Sequence, residues 1–247
     1  MKRCHVPTID RRYWTAITLA SIFGTNLGDL YAHESGLGLL GGLPVLVILF
    51  AAVYLMERVD RVSHDLYYWL CIIIMRTGAT NIADYLAGRR GLSIDRLSLS
   101  IGLGLALAVL AWWSARAEGK LHQQPPGKSV PETDVRYWLA MLTAGVFGTV
   151  LGDYFEKLIG PGVAAVSLSV VLAGALLIYS RGILRAVYGY WLAIGAARTT
   201  GTAIGDWFAQ SKILKLGLPL STLLTGLAFV TVIVLWRNRP HANAATV

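Results

Sequence analysis

Apolar runs long enough to cross a bilayer follow one another along this chain, and two kinds of run alternate. Runs of the second kind, such as GLGLLGGLP (Gly36 to Pro44) and GLGLALAVL (Gly102 to Leu110), are rich in glycine and carry no charge. Runs of the first kind are interrupted by polar residues at helical spacing. A hydrocarbon core about 30 Å thick takes about 20 helical residues, so the pattern predicts eight membrane spans. They lie near Tyr13–Ala32, Gly36–Met56, Leu66–Ala87, Leu97–Ala115, Tyr137–Leu158, Val163–Tyr179, Val187–Ala209 and Leu216–Trp236.

The interrupted runs are copies of one another. Each begins with a Tyr-Trp pair and carries an Asp fifteen residues after the Trp: Tyr13-Trp14 to Asp29, Tyr68-Trp69 to Asp84, Tyr137-Trp138 to Asp153, Tyr190-Trp191 to Asp206. The closing phrases are GTNLGD, ATNIAD, GTVLGD and GTAIGD. Thr25, Thr80, Thr149 and Thr202 each precede their Asp by four residues, which puts both on one helical face. Beside that face run Gly24/Gly28, Ala79/Ala83, Gly148/Gly152 and Gly201/Gly205, a small-residue stripe that lets helix backbones approach closely. The second and fourth copies add an Arg one turn earlier, Arg76 and Arg198, whereas the first and third have Phe23 and Phe147 before the phrase. A duplicated unit has itself been duplicated.

Composition agrees with the pattern. Of 247 residues 55% are hydrophobic and 15% charged, as in a polytopic membrane protein. The net charge of +8 does not point to nucleic acid, because the basic residues follow the loops as a topology signal. Fourteen lie on the side that holds both termini and six on the other, which places both termini in the cytoplasm by the positive-inside rule. The start, MKRCHVPTIDRR, lacks the cleavage site of a secretory signal, and Cys4 and Cys71 form no disulfide framework or CxxC metal site. Asp10, Asp65 and Asp134 stand four residues before the repeat Trp, where they would cap a helix start; the fourth copy has Val187 there. The polar, proline-containing stretch around 118–129 divides the chain into a first half, 1–117, and a second, 130–247. The end of the chain from Pro240 reads as a tail.

With its four tandem two-helix units, each with a Tyr-Trp pair and a Gly-Thr-x-x-Gly-Asp phrase, the chain resembles a bacterial integral membrane protein family built from a tandem repeat of unknown function. That resemblance implies an all-α, eight-span protein of the bacterial inner membrane. It brings no settled activity, so function rests on the residues.

Asp29, Asp84, Asp153, Asp206, Arg76 and Arg198 are the charges that fall inside apolar spans, and each costs about 2.5–3.5 kcal/mol by insertion scales. They are therefore expected to face inward. At about 1.5 Å per residue from the Trp, Arg lies about 10 Å deep, Thr about 16 Å and Asp about 22 Å. Two-span repeats preserve direction, so the four polar stripes align in layers. Four Asp, four Thr and two Arg form a candidate cation pathway with a formal charge of −2, and Asp84 and Asp206 are candidate partners of the Arg side chains. Oxygen ligands suit a hard divalent ion such as Mn²⁺ or Mg²⁺, bound by the four Asp as metal ligands, or protons exchanged for it; no firmly held cofactor is implied. The reading is a cation transporter and not an enzyme, with the lipid bilayer and a small inorganic ion as its partners. A channel, an anion path through Arg76 and Arg198, and a purely structural subunit stand as alternatives. Buried His ligands for haem are lacking, since the five His lie at span ends or in loops. His33, Glu34, Glu156 and Lys157 lie near the outer mouth. The Tyr-Trp pairs are read as interface anchors without chemistry.

Overall fold

A computed structural model describes residues 6–60, 65–89, 91–118, 133–211 and 214–237. The interdomain linker 118–129 and the tail from Pro240 lie outside the described residues, apart from the backbone of residue 118. What is described is helical: α1 (Arg11–Glu34), the single turn α2 (Gly38–Gly41), α3 (Leu43–Val59), α4 (Asp65–Ala87), α5 (Arg96–Glu118), α6 (Val135–Ile159), α7 (Pro161–Ser180), α8 (Ala186–Gln210) and α9 (Gly217–Arg237).

The helix starts follow local chemistry. Asp10 accepts from the backbone amides of Arg12 and Tyr13 at the head of α1, and Asp134 accepts from that of Tyr137 at the head of α6. Asp95 does the same for α5, taking the amide and hydroxyl of Ser98, and these bonds hold its carboxyl below the ordinary carboxylate value. α8 begins without a side-chain cap, as Val187 in the fourth copy predicts. Gly160, with φ of +84°, turns the chain from α6 into α7, and Pro161 follows at the first position of that helix.

The four repeat helices α1, α4, α6 and α8 form a closed inner ring in that order, α8 returning to α1. The glycine-rich helices surround it. α3 lies on α4, α5 on α6 and α7 on α8, each against the inner helix that follows it in the chain, and α9 closes the circle on α1. Both halves of the sequence thus build one bundle.

The outer helices turn apolar side chains outward: Val47, Ile48, Leu105, Val109, Val166, Val170, Leu223 and Leu227 are all exposed. Among the described residues five segments are long and apolar enough to cross a membrane, namely Gly38–Val59, Arg96–Arg116, Val135–Ile159, Pro161–Ser180 and Gly217–Leu235. Helices α1, α4 and α8 are as long but carry buried Ser, Thr, Asn and Arg, which lower their hydropathy. An apolar outer belt around a polar-cored inner ring is the surface of a helical membrane protein.

The small-residue stripe sits where the inner helices meet. A Cβ on Gly28 would stand 2.7 Å from Thr80 Cβ, one on Gly152 2.9 Å from Thr202 Cβ, and one on Gly205 2.8 Å from Asn26 Oδ1. Between α4 and α6 the contact is Gly145 on Ala79, with 2.7 Å to its Cβ. All four interfaces of the ring are closed at backbone distance.

Candidate functional site

Parallel inner helices with a common repeat stack their side chains in layers along the ring axis. The first layer is made of Tyr13, Tyr68, Tyr137 and Tyr190, all 2% exposed or less. Tyr13 Oη lies 2.7 Å from Tyr68 Oη and 2.6 Å from Tyr190 Oη; Tyr137 Oη lies 2.6 Å from Tyr68 Oη and 2.9 Å from Tyr190 Oη. Each hydroxyl can donate to one neighbour and accept from the other, so the square satisfies itself without water. Oxygens this close leave no opening for an ion.

This corrects the expectation that the Tyr-Trp pairs are interface anchors. The rings are in the core because the axis needs four identical groups that can each give and take one hydrogen bond. The Trp indoles are buried too, at the seams between inner and outer helices: Trp14 packs edge-on to Tyr179 of α7, Trp69 to Phe229 of α9, and Trp138 to Phe50 of α3. The signal was the fixed spacing from each Tyr to its Asp, which made Tyr part of the same inward stripe.

Four residues on, Ile17, Ile72, Met141 and Ile194 form an apolar layer, each 1% exposed or less. Eight residues on come Ser21, Arg76, Gly145 and Arg198. Twelve on are Thr25, Thr80, Thr149 and Thr202, all buried.

Each Thr hydroxyl donates to the carbonyl one turn back: Thr25 to Ser21 at 2.8 Å, Thr80 to Arg76 at 3.3 Å, Thr149 to Gly145 at 3.3 Å and Thr202 to Arg198 at 3.2 Å. With its proton spent there, each oxygen has lone pairs free for the axis. The Arg76 guanidinium takes all four. Nη1 donates to Thr149 at 2.7 Å and Thr80 at 3.1 Å, while Nη2 donates to Thr25 at 2.5 Å and Thr202 at 2.7 Å. A cation carried by the chain itself fills the centre of a ring of oxygens. The expected pairing of Arg76 with Asp84 is not found: the Thr ring stands between them, because α4 reaches its Asp only two turns after the Arg.

Arg198 stands at the same repeat position on α8, equally buried, yet its head turns the other way. Nη1 donates to Ser21 Oγ at 3.1 Å and Nη2 approaches Met141 Sδ at 3.1 Å, so Asp206 is not its partner either. The sequence explains the difference. Where Arg198 finds Ser21 on α1 and Met141 on α6, Arg76 would face Gly145 on α6 and Ile17 on α1, which offer no side-chain acceptor. Only Arg76 gains by reaching into the Thr ring, and the two like charges diverge.

Sixteen residues on are Asp29, Asp84, Asp153 and Asp206. Asp206 is buried at 5% exposure and the other three are half-buried. Asp153 pairs with Arg96 at the head of α5, Nε to Oδ2 at 3.5 Å, and is the one of the four in an ion pair among the described residues. Arg96 was legible only as one of six basic residues on its side. His33 lies in the last turn of α1, its Nδ1 2.7 Å from the Asp29 carbonyl oxygen, and Glu156 and Lys157 lie in the last turn of α6. As the side chains stand, no three His, Cys, Asp or Glu among the described residues are close enough to hold a metal ion.

The axis is thus closed at one end by hydroxyls, lined by apolar side chains and two guanidinium groups, and acidic at the other. No curated protein and no solved structure matches this chain. Residues 12–60 and 189–239, which are the first and fourth copies, match the family described as Repeat of Unknown Function (DUF347), and the chain is a tandem-repeat protein carrying that repeat.

Proposed function

We propose that the protein is a cation transporter of the bacterial inner membrane and that the axis of its inner ring is the pathway. In this reading all eight long helices span the bilayer, with the Tyr end and both termini towards the cytoplasm, as the basic residues of the loops direct. The carboxylate layer draws cations into the outer mouth and exchanges protons for them. The Thr ring is the point of selection, and the Tyr square and apolar layer below it form the closed inner gate.

The observation that carries this is the Arg76 contact: four neutral oxygens from four helices close on a positive charge one turn below four carboxylates. A site that already coordinates a cation on the axis is built to stabilise one there. Such an arrangement holds the inner gate shut while its mouth stays acidic, which suits a carrier caught in an outward-facing state better than an open channel. Flux of dye-reported H⁺ and of a panel of metal and organic cations, in proteoliposomes carrying the purified protein, tests it. Cation movement above that of empty vesicles, lowered by Thr149→Val, is the expected result; absence of flux for every cation tried refutes it.

A further inference from the structure

Four features of the Thr ring bear on which cation it takes. The ring is neutral, its nearest carboxylates standing a full turn away along every helix. Its oxygens are acceptors only, because their protons go to backbone carbonyls. Its contacts to the cation at its centre run from 2.5 to 3.1 Å, and every one of them is donated by an N–H group. And it cannot shrink, since all four helix interfaces around it are already at glycine-mediated contact.

A hard divalent ion asks for the reverse of each. It wants anionic oxygens at about 2.0–2.6 Å, and holds water tightly where the protein does not supply them. No cluster of three carboxylates offers such a set among the described residues. A group that donates several N–H bonds at once is what the ring satisfies, as the chain's own guanidinium demonstrates.

We infer, resting on the cation-pathway reading above, that the substrate is a small monovalent cation bearing N–H donors, of the guanidinium or ammonium class, and that Arg76 is its tethered stand-in. Substrate entering from the acidic mouth competes with Arg76 for Thr25, Thr80, Thr149 and Thr202. The displaced head swings outward from the ring towards the carboxylates, whose side chains lean back towards it along their helices. Exchange of one guanidinium-like cation for another keeps the ring filled and the buried charge constant. Arg198 does not compete, being held by Ser21 and Met141 on the far side of the layer.

The test is uptake of radiolabelled guanidinium and methylammonium by proteoliposomes, beside Mn²⁺ and K⁺ at matched ionic strength. The parent protein is expected to move the two N–H cations and to leave Mn²⁺ and K⁺ at the rate of empty vesicles. Arg76→Gln, which removes the internal competitor, is expected to lower the apparent KM for guanidinium by about tenfold. If Mn²⁺ or K⁺ moves as fast as the N–H cations or instead of them, the substrate class is wrong and the cation pathway stands. If nothing moves, both fall. An unaltered KM in a folded Arg76→Gln protein overturns the stand-in role, and should that variant not fold, the selectivity series of the parent decides alone.

Discussion

Arg76 and Arg198 stem from equivalent positions of their repeats and point in opposite directions along the bundle axis, one into the Thr ring and the other towards the Tyr square. Their stems are alike: a Cβ on Gly24 would strike Arg76, and one on Gly148 would strike Arg198. The asymmetry lies in what the facing helices offer the heads.

It follows that Ser21 is the residue that makes the Arg198 pose tolerable. Ser21→Ala removes the one oxygen acceptor the guanidinium has among the described residues and should destabilise the protein by about 1.5–3 kcal/mol, the range for hydrogen bonds to charged groups. Arg198→Met on top of it removes the stranded charge itself, and exchange of buried ions for apolar groups is often neutral or stabilising. The double variant should therefore melt above the Ser21→Ala single in detergent. A double variant that melts lower would mean that Arg198 is stabilised by something other than Ser21.

The Tyr square makes a prediction about geometry. Removing one hydroxyl breaks two of four bonds, at about 1–3 kcal/mol. Removing an adjacent pair, Tyr13 and Tyr68, leaves the bond between Tyr137 and Tyr190, whereas removing the diagonal pair, Tyr13 and Tyr137, leaves none. Of the two double Phe variants the diagonal one should be the less stable. Equal melting temperatures would indicate that the hydroxyls act independently and not as a ring.

Much of this architecture could be read from residue spacing. Thr and Asp at a fixed distance in four parallel copies determine aligned layers, and the Gly/Ala stripe beside them determines which sides of the helices touch. The partners of Arg76 could not be read. A carboxylate was the expected partner by charge alone, but the four Thr oxygens converge only because four helices meet, and convergence is not a property of any one helix. The Tyr hydroxyls were missed for a related reason: a Tyr near a span end is usually an interface residue, and only closure of the ring in the order α1, α4, α6, α8 turns it inward. Three inner helices also lack the hydropathy of membrane spans, since the polar residues that lower it face one another and not the lipid.

The glycines separate packing from composition. On α6, a Cβ at Gly148 would lie 2.5 Å from Arg198 Cβ and 2.6 Å from its carbonyl carbon, so Ala there must push two helices apart. Overpacking of this kind costs about 1–3 kcal/mol or more, and backbone on the far side leaves little room to relax. On α7, a Cβ at Gly174 meets nothing within 4 Å, and Ala should stabilise that helix by about 0.5–1 kcal/mol. Thermal unfolding should thus move in opposite directions for Gly148→Ala and Gly174→Ala. The same sign for both would refute the tight α6–α8 contact.

The Arg96–Asp153 pair stands at the acidic mouth, and neutralising its partners one at a time separates attraction from folding. Both side chains are only 21% exposed, so the melting temperature of each variant is read beside its uptake rate. Arg96→Gln makes the mouth one unit more negative, Asp153→Asn makes it one unit more positive and leaves Arg96 without that partner, and the double variant restores the original sum. If the mouth concentrates cations for the ring below, the rate of cation uptake at low substrate should rank Arg96→Gln above the parent, the double variant near the parent, and Asp153→Asn lowest. Because a field over a solvated mouth is screened within about 8 Å at physiological salt, the spread should narrow as ionic strength rises. A rank order that follows melting temperature instead, or that is indifferent to salt, would show that Asp153 and Arg96 brace α5 against α6 and do nothing for the cation.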